Sequence, residues 1–297
     1  MTSTPSLQEE FNLISPGHLA CAGCTATLAM RYTLEALGPR TVLVMPACCW
    51  SIICGPFPHS AVRVPVFHCA FETGAVTASG VRAAMDMQGN EDVNVVTWAG
   101  DGGTFDIGFQ ALSGAAERND DIIYICYDNE AYMNTGIQRS SATPPGTWTT
   151  TTPAGKLRPK KNIVEIMAAH RIPYAATACV SYPDDLITKM RKAKDINGTR
   201  FFHVLAPCPT GWRIDSAKAV KIGRMAVKSR AFPLYEIEDG DRYTLTHEEE
   251  QIPIADYLNA QGRFEKLNAE AAADMQQEVD KNFLRLQKLS AARDETL

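Results

Sequence analysis

Apolar and polar positions along the chain fall into short runs of two kinds that take turns. Residues 41–46, 93–98, 122–127, 174–179 and 201–205 are almost continuously apolar over strand length, the pattern of strands buried on both faces. Between them, 26–37, 73–87, 106–118, 163–169 and 184–194 read as helices. Strand and helix alternating in this way predict an α/β fold, a doubly wound and mostly parallel sheet. Residues 215–230 read as one more helix, 233–235 with 243–245 as a short hairpin, and 271–292 as a charged amphipathic helix that coils or docks. The expected organisation is an N-terminal arm over 1–15, an α/β domain over 16–231 and a C-terminal extension over 232–297 that serves subunit contacts.

Chemistry enters where the apolar runs end. After 93–98 comes Gly100-Asp101-Gly102-Gly103, where glycines let the backbone turn sharply and approach a ligand and Asp101 supplies a carboxylate. The run 122–127 delivers Asp128-Asn129-Glu130 at its carboxyl end, where ligands sit in open α/β sheets. Asp101 and Asn129 are therefore placed to reach one hard cation, such as Mg2+ that takes its remaining ligands from phosphate and water. A polar loop follows, with Asn134, Thr135, Gln138, Arg139, Ser140, Ser141 and Thr143. A Gly-Asp-Gly before a helix also occurs as a plain tight turn; the length and polarity of this loop favour a functional site.

Composition narrows the field. The net charge of −5 gives no basic surface for nucleic acid, and no apolar run of about 18 residues offers a membrane span. Residues 1–11 are polar and acidic, without the basic flank and apolar core of an export signal, so the expected location is the cytoplasm. Nine cysteines without such a signal argue for metal or redox chemistry over a disulfide framework. Cys54, Cys69, Cys126 and Cys179 lie among apolar residues and read as small core residues. Cys21-Ala22-Gly23-Cys24 precedes a helix, Cys48-Cys49 follows the run 41–46, and Cys208 follows 201–205. Thiols at four loop positions suit a tetrahedral thiolate site, and spacing alone leaves zinc and iron-sulfur open. His68 and Glu72 have no marked partner, and His68 reads as a histidine satisfied by backbone. The prolines, glycine and threonines of 144–152 read as a cover or an arm gripping a partner subunit, and the basic stretch 156–161 as a solvated turn.

Taken together, these segments resemble the thiamine-diphosphate-binding beta subunit of the 2-oxoacid:ferredoxin oxidoreductases, most of all the pyruvate type. The resemblance is carried by Gly17-His18 with Cys21 and Cys24, by 99–106 and 110–115, by 127–144, by His170 with Ile172-Pro173-Tyr174, and by Cys208-Pro209-Thr210-Gly211-Trp212. It implies the thiamine-diphosphate-binding fold and a [4Fe-4S] cluster on Cys21, Cys24, Cys49 and Cys208. It also implies Mg2+ on Asp101, Asn129 and the carbonyl of Ala131. Gly100, Gly102, Gly103 and Thr135 would line the cofactor, and Asn134 would face the reacting carbon. Family members commonly carry glycine where this chain has Cys48, so Cys48 stays a rival for the third ligand.

The implied activity is oxidative decarboxylation of a 2-oxoacid with coenzyme A, giving acyl-CoA and CO2, with electrons leaving through the cluster to ferredoxin. The carboxylate that activates the aminopyrimidine comes from another polypeptide in this family. The resemblance therefore implies an alpha subunit that completes the site, with gamma and delta (ferredoxin-like) subunits or domains beside it. Another 2-oxoacid, a metal-stabilised non-redox scaffold and a non-oxidative thiamine decarboxylase are the competing readings; the last leaves the four cysteines unexplained.

Overall fold

The computed structural model of the protein describes residues 12–56 and 58–292. Its centre is an eight-stranded sheet of β1 Thr41–Pro46, β2 Val66–Cys69, β3 Asn94–Gly100, β4 Ile123–Asp128, β5 Tyr174–Cys179, β6 Arg200–Leu205, β7 Tyr235–Glu238 and β8 Arg242–Leu245. The strand order is β2-β1-β3-β4-β6-β5-β7-β8. The first six strands in that order are parallel; β7 then pairs antiparallel with β5, and β8 antiparallel with β7 closes the row. The extension from residue 232 thus contributes the last two strands of the sheet.

Ten α-helices surround it among the described residues: α1 Ala26–Leu37, α2 Cys49–Ile53, α3 Gly74–Met87, α4 Phe109–Glu117, α5 Ile163–Ala168, α6 Pro183–Lys194, α7 Pro209–Trp212, α8 Ala219–Lys228, α9 Ile254–Asn259 and α10 Ala269–Ala292. Successive strand residues point to opposite faces, and both faces are apolar. Val96 and Trp98 of β3 pack with α1 and α6 on one side, while Val95 and Ala99 pack with α3 and α4 on the other. That two-sided burial is why these strands read as unbroken apolar runs. Helix α6 shows how the connections are specified: Pro183 opens it, Asp184 and Asp185 sit in its first turn, and Arg191, Lys192 and Lys194 sit in its last, each matching the helix dipole.

Three local expectations change. Residues 66–69, where no strand is expected, form β2; it is an edge strand with Phe67 and His68 exposed, so no apolar run marks it. Cys69 is only half-buried. The helix expected over 106–118 is preceded by a π-helical turn, Gly102–Ile107, before α4 begins. Residues 1–11 of the expected arm lie outside the described region; Leu13 and Ile14 are buried, and Ile14 bridges Val62.

The topology creates two places where loops diverge at the carboxyl ends of the strands. The chain leaves β1 towards β2 and returns on the opposite side of β1 as β3, so the loops after β1 and β3 part there, carrying Cys48-Cys49 and Asp101. Strand β6 inserts beside β4, so the loop of Asn129 adjoins that of Cys208; the amide of Ala206 donates to the carbonyl of Asp128 at 2.8 Å. A switch point of this kind is where such sheets bind ligands.

Candidate active site

Asp101 caps the π-helical turn and is 1% exposed. Ser140 Oγ donates to its Oδ2, and Thr104 Oγ1 donates to the Gly100 carbonyl at 2.8 Å, which fixes the turn from inside. Gly102 has to be glycine because of its neighbour: a β carbon there would lie 2.5 Å from Cε1 of Tyr132. The Tyr132 hydroxyl in turn donates to Asp106 Oδ2 at 2.9 Å, joining the glycine turn to the loop after β4.

On that loop Asn129 is buried beside Asp101. With its amide oxygen facing inward, Asn129 Oδ1 lies 3.1 Å from Asp101 Oδ1 and 2.9 Å from the Ala131 carbonyl oxygen. With the amide turned over, its nitrogen donates to both. The inward form is three acceptors face to face, which repel unless a cation sits among them. Adjacent oxygens around an octahedral Mg2+ with bonds of about 2.0–2.1 Å are about 2.9 Å apart. The trio therefore has the spacing that Mg2+ would fit, with the amide oxygen turned inward as the orientation that would bind it. Burial, and then the negative charge of Asp128, push the Asp101 carboxyl well above the usual carboxylate range. A cation would supply the missing positive charge.

Asn134 and Thr135 occupy an exposed turn beyond Ala131. The Thr135 hydroxyl donates to Gln138 Oε1 at 2.6 Å, and Gln138 Nε2 donates back to the Thr135 carbonyl at 2.9 Å. Thr135 thus braces its own turn, while the Asn134 side chain stands at the open face of the site.

Cys21 is exposed, and Cys24, Cys49 and Cys208 are half-buried. The Cys24 and Cys208 loops are tied where Thr25 Oγ1 donates to the Pro207 carbonyl at 2.8 Å. Burial, followed by the charges of Cys48, Cys208, Cys24 and Asp101, pushes the Cys49 thiol up to about 12. Burial also raises Cys208 to about 11, with Cys24 and Cys21 adding to the rise. Thiols that raise one another in this way become thiolates together only on cations. Cys48 is oriented differently: its sulfur caps α2, accepting from the Ser51 amide, while Cys49 feels the charges of Cys24 and Cys208. Among the described residues no three His, Cys, Asp or Glu side chains close on one ion position, so the four thiols do not form a compact one-ion cage.

The thiol group and the oxygen trio share a wall. Trp212, four residues after Cys208, donates its indole N–H to the Asn129 carbonyl at 2.8 Å. Met133 lies so close to Gly211 that a β carbon there would be 2.1 Å from its sulfur.

The stretch 156–161 is not a solvated turn. Lys156 is buried with its ammonium donating to the carbonyls of Ser141, Thr143 and Pro159. Lys160 Nζ bridges Asp128 Oδ2 at 2.5 Å and Glu130 Oε1 at 2.8 Å. His203 Nε2 lies 2.6 Å from Asp128 Oδ2, and Arg263 Nη2 lies 2.6 Å from Glu130 Oε2. Burial works against the Asp128 charge, but Lys160 and His203 outweigh it and hold the carboxyl below its ordinary range. The loop 144–152 also packs on its own chain: Thr147 and Thr149 are buried, and the Trp148 amide donates to the Arg263 carbonyl at 2.9 Å. Behind this network a cavity of about 840 Å3 opens towards α10, apart from the thiols. Sequence reasoning named Asp128, Glu130 and Trp212 without a role, read Lys160 as part of a solvated turn, and passed over His203 and Arg263. The available signal was two carboxylates flanking Asn129 at the end of a buried strand, which require cations from elsewhere.

Known proteins match this arrangement. Residues 51–204 match the family described as thiamine pyrophosphate enzyme, C-terminal TPP binding domain. Pyruvate synthase subunit PorB of Methanothermobacter thermautotrophicus is 53% identical over 278 residues, 92% of this chain and 96% of that protein. Ketoisovalerate oxidoreductase subunit VorB of Pyrococcus furiosus is 50% identical over 287 residues, 92% of each. Among solved structures, the 2-oxoglutarate:ferredoxin oxidoreductase of Magnetococcus marinus shares the fold, with a TM-score of 0.58 and 21% identity over 71% of this chain and 79% of that one. With a thiamine-binding domain on a doubly wound sheet and half its residues in common with PorB and VorB, the chain belongs to the beta subunits of the thiamine-dependent 2-oxoacid:ferredoxin oxidoreductases.

Proposed function

We propose that the chain binds thiamine diphosphate through Mg2+ held by Asp101, Asn129 and the Ala131 carbonyl, and a [4Fe-4S] cluster through Cys21, Cys24, Cys49 and Cys208. The assembly would comprise this subunit, an alpha subunit completing the thiamine site, and gamma and delta (ferredoxin-like) subunits or domains. It would convert a 2-oxoacid, pyruvate before others, and coenzyme A into acyl-CoA and CO2, and pass the electrons to ferredoxin. The observation that carries this reading is the oxygen trio standing beside the loops of the four thiols, with Cys49 feeling the charge of Asp101. A four-iron cluster is larger than a single ion and suits thiols that do not gather on one point.

When bound, the two groups supply an electron sink for the carbanion left by departing CO2 and a one-electron acceptor beside it. The protein's own residues do the rest. Asp101 and Asn129 hold the cation, Gly102 and Tyr132 shape the turn beside it, and Asn134 is offered to the reacting carbon from the exposed turn. Trp212 and Met133 keep the Cys208 loop against the cation loop. Similarity to VorB at 50% identity supports a branched 2-oxoacid as the second substrate reading.

The test is anaerobic purification of the chain with its partner subunits, followed by dye reduction dependent on coenzyme A across a panel of 2-oxoacids. Brown protein with pyruvate as the best substrate is the expected result. Cys208→Ser should abolish ferredoxin reduction and leave thiamine diphosphate bound. A colourless, zinc-containing assembly, or undiminished electron transfer by Cys208→Ser, would overturn the assignment.

A further inference from the structure

Glu130 lies between two residues that contribute oxygens to the cation trio, and its φ is +66°. A non-glycine residue in that left-handed region costs on the order of 1 kcal/mol or more and persists only where its surroundings hold it. The reversed backbone at this one residue lets the Ala131 carbonyl come round to face the Asn129 side chain.

What holds it is a closed set of buried contacts. The Glu130 amide donates to Asp128 Oδ1 at 2.7 Å, and its carbonyl accepts from Thr143 Oγ1 at 2.7 Å. Lys160 donates a hydrogen bond to one oxygen of its carboxylate, and Arg263 Nη2 faces the other at 2.6 Å as an ion pair without hydrogen-bond alignment. Lys160 also grips Asp128, the other end of the same turn. The Arg263 guanidinium stacks on the Trp212 ring with 3.8 Å to the centroid, and Trp212 donates to the Asn129 carbonyl. Arg263 is 2% exposed, so these charges compensate one another in a setting where an unpaired one would be costly.

The geometry points to Lys160 and Arg263 as positioning residues for the metal-diphosphate site: they clamp the strained Asp128–Ala131 turn and so preset the oxygen trio for its cation. Neither needs to touch the metal. The inference rests on the reading of Asp101, Asn129 and Ala131 as the cation site.

The experiment uses the assembled enzyme stripped of thiamine diphosphate and Mg2+, titrated with Mn2+ at fixed thiamine diphosphate, with free Mn2+ read by electron paramagnetic resonance. Lys160→Met and Glu130→Gln should each weaken Mn2+ binding by about 10–100-fold, the usual effect of removing a group that orients a metal ligand. Lys160→Arg should restore most of the affinity, a rescue that a purely global stability effect on the folded fraction would not produce. If either single variant fails to fold, Arg263→Lys keeps the buried positive charge opposite Glu130 but loses the planar guanidinium stacked on Trp212, and so tests the clamp from its other side. It should fold and still bind Mn2+ weakly. Wild-type Mn2+ affinity in any folded network variant overturns the inference. An Asp101→Asn enzyme that keeps wild-type Mn2+ affinity would instead overturn the cation-site reading beneath it, so the two failures are separable.

Discussion

Replacing Gly102 by alanine tests how closely the glycine turn is fitted to the loop after β4. The new β carbon would lie 2.5, 2.6 and 2.9 Å from Cε1, Cδ1 and Cζ of Tyr132. Carbon contacts are comfortable at about 3.5–4.0 Å, so the ring must retreat by about 1 Å. It is not free to do so. Its hydroxyl is bound to Asp106, its edge rests on Phe71 with 5.9 Å between centroids, and its amide and carbonyl both bond to the 137–138 backbone. Overpacking of this kind costs about 1–3 kcal/mol, and loss of a hydrogen bond to a carboxylate adds about 1.5–3 kcal/mol if the ring tears free. At about 2–4 °C per kcal/mol, the melting temperature of the cofactor-free protein should fall by roughly 5–10 °C.

The neighbouring glycines supply controls. At Gly100 the nearest atom would be Tyr127 Oη at 3.5 Å, and at Gly103 it would be Phe71 Cε2 at 3.3 Å. None of the three has a positive φ, so the series reports contact alone. Gly100→Ala should be close to neutral and Gly103→Ala intermediate in calorimetry. In a Tyr132→Ala background the Gly102→Ala cost should largely vanish, giving a coupling of at least about 1 kcal/mol in the double-mutant cycle. A Gly102→Ala protein that melts with Gly100→Ala, or a cost that survives without the Tyr132 ring, would refute the reasoning.

Two further outcomes follow from the cysteines. Cys49→Ser should strip the visible iron-sulfur absorbance from anaerobically prepared protein and Cys48→Ser should not, because the Cys48 sulfur is turned to cap α2 at the Ser51 amide; equal loss in both would return Cys48 to the ligand set. Burial lifts the Cys54 and Cys179 thiols to about 11, so both should resist iodoacetamide at pH 8 and label only on unfolding, as read by mass spectrometry. The sign is set by burial of the neutral form: its contribution to stability is complete below the ordinary thiol value of about 8.5 and is withdrawn as pH climbs towards about 11.

The sheet was legible because β1, β3, β4, β5 and β6 are buried on both faces and so spell continuous apolar runs. β2 was not, since an edge strand with Phe67 and His68 exposed carries no such signature. The glycine turn was legible because the close approach of the Tyr132 ring demands glycine at position 102, and Asn129 and the cysteines stood out as side chains of metal-ligating type at loop positions. The clamp was not. Lys160 stands 32 positions from Asp128, and a basic run looks like solvated surface until the fold brings two buried carboxylates to it. The burial of Thr147 and Thr149 in the loop 144–152 was illegible for a related reason: threonine and proline look the same in sequence whether they meet solvent or fill a space in their own chain.

The close seating of Met133 on Gly211 has a consequence for life in air. Oxidation of a methionine adds a polar oxygen to its sulfur, and here that sulfur occupies the space a side chain at position 211 would need. Thiols are the expected target of oxidants in such a protein. Met133 adds a second, and a single added atom there would wedge the Cys208 loop away from the loop of Asn129, so oxidative injury would reach both the thiols and the oxygen trio through one thioether.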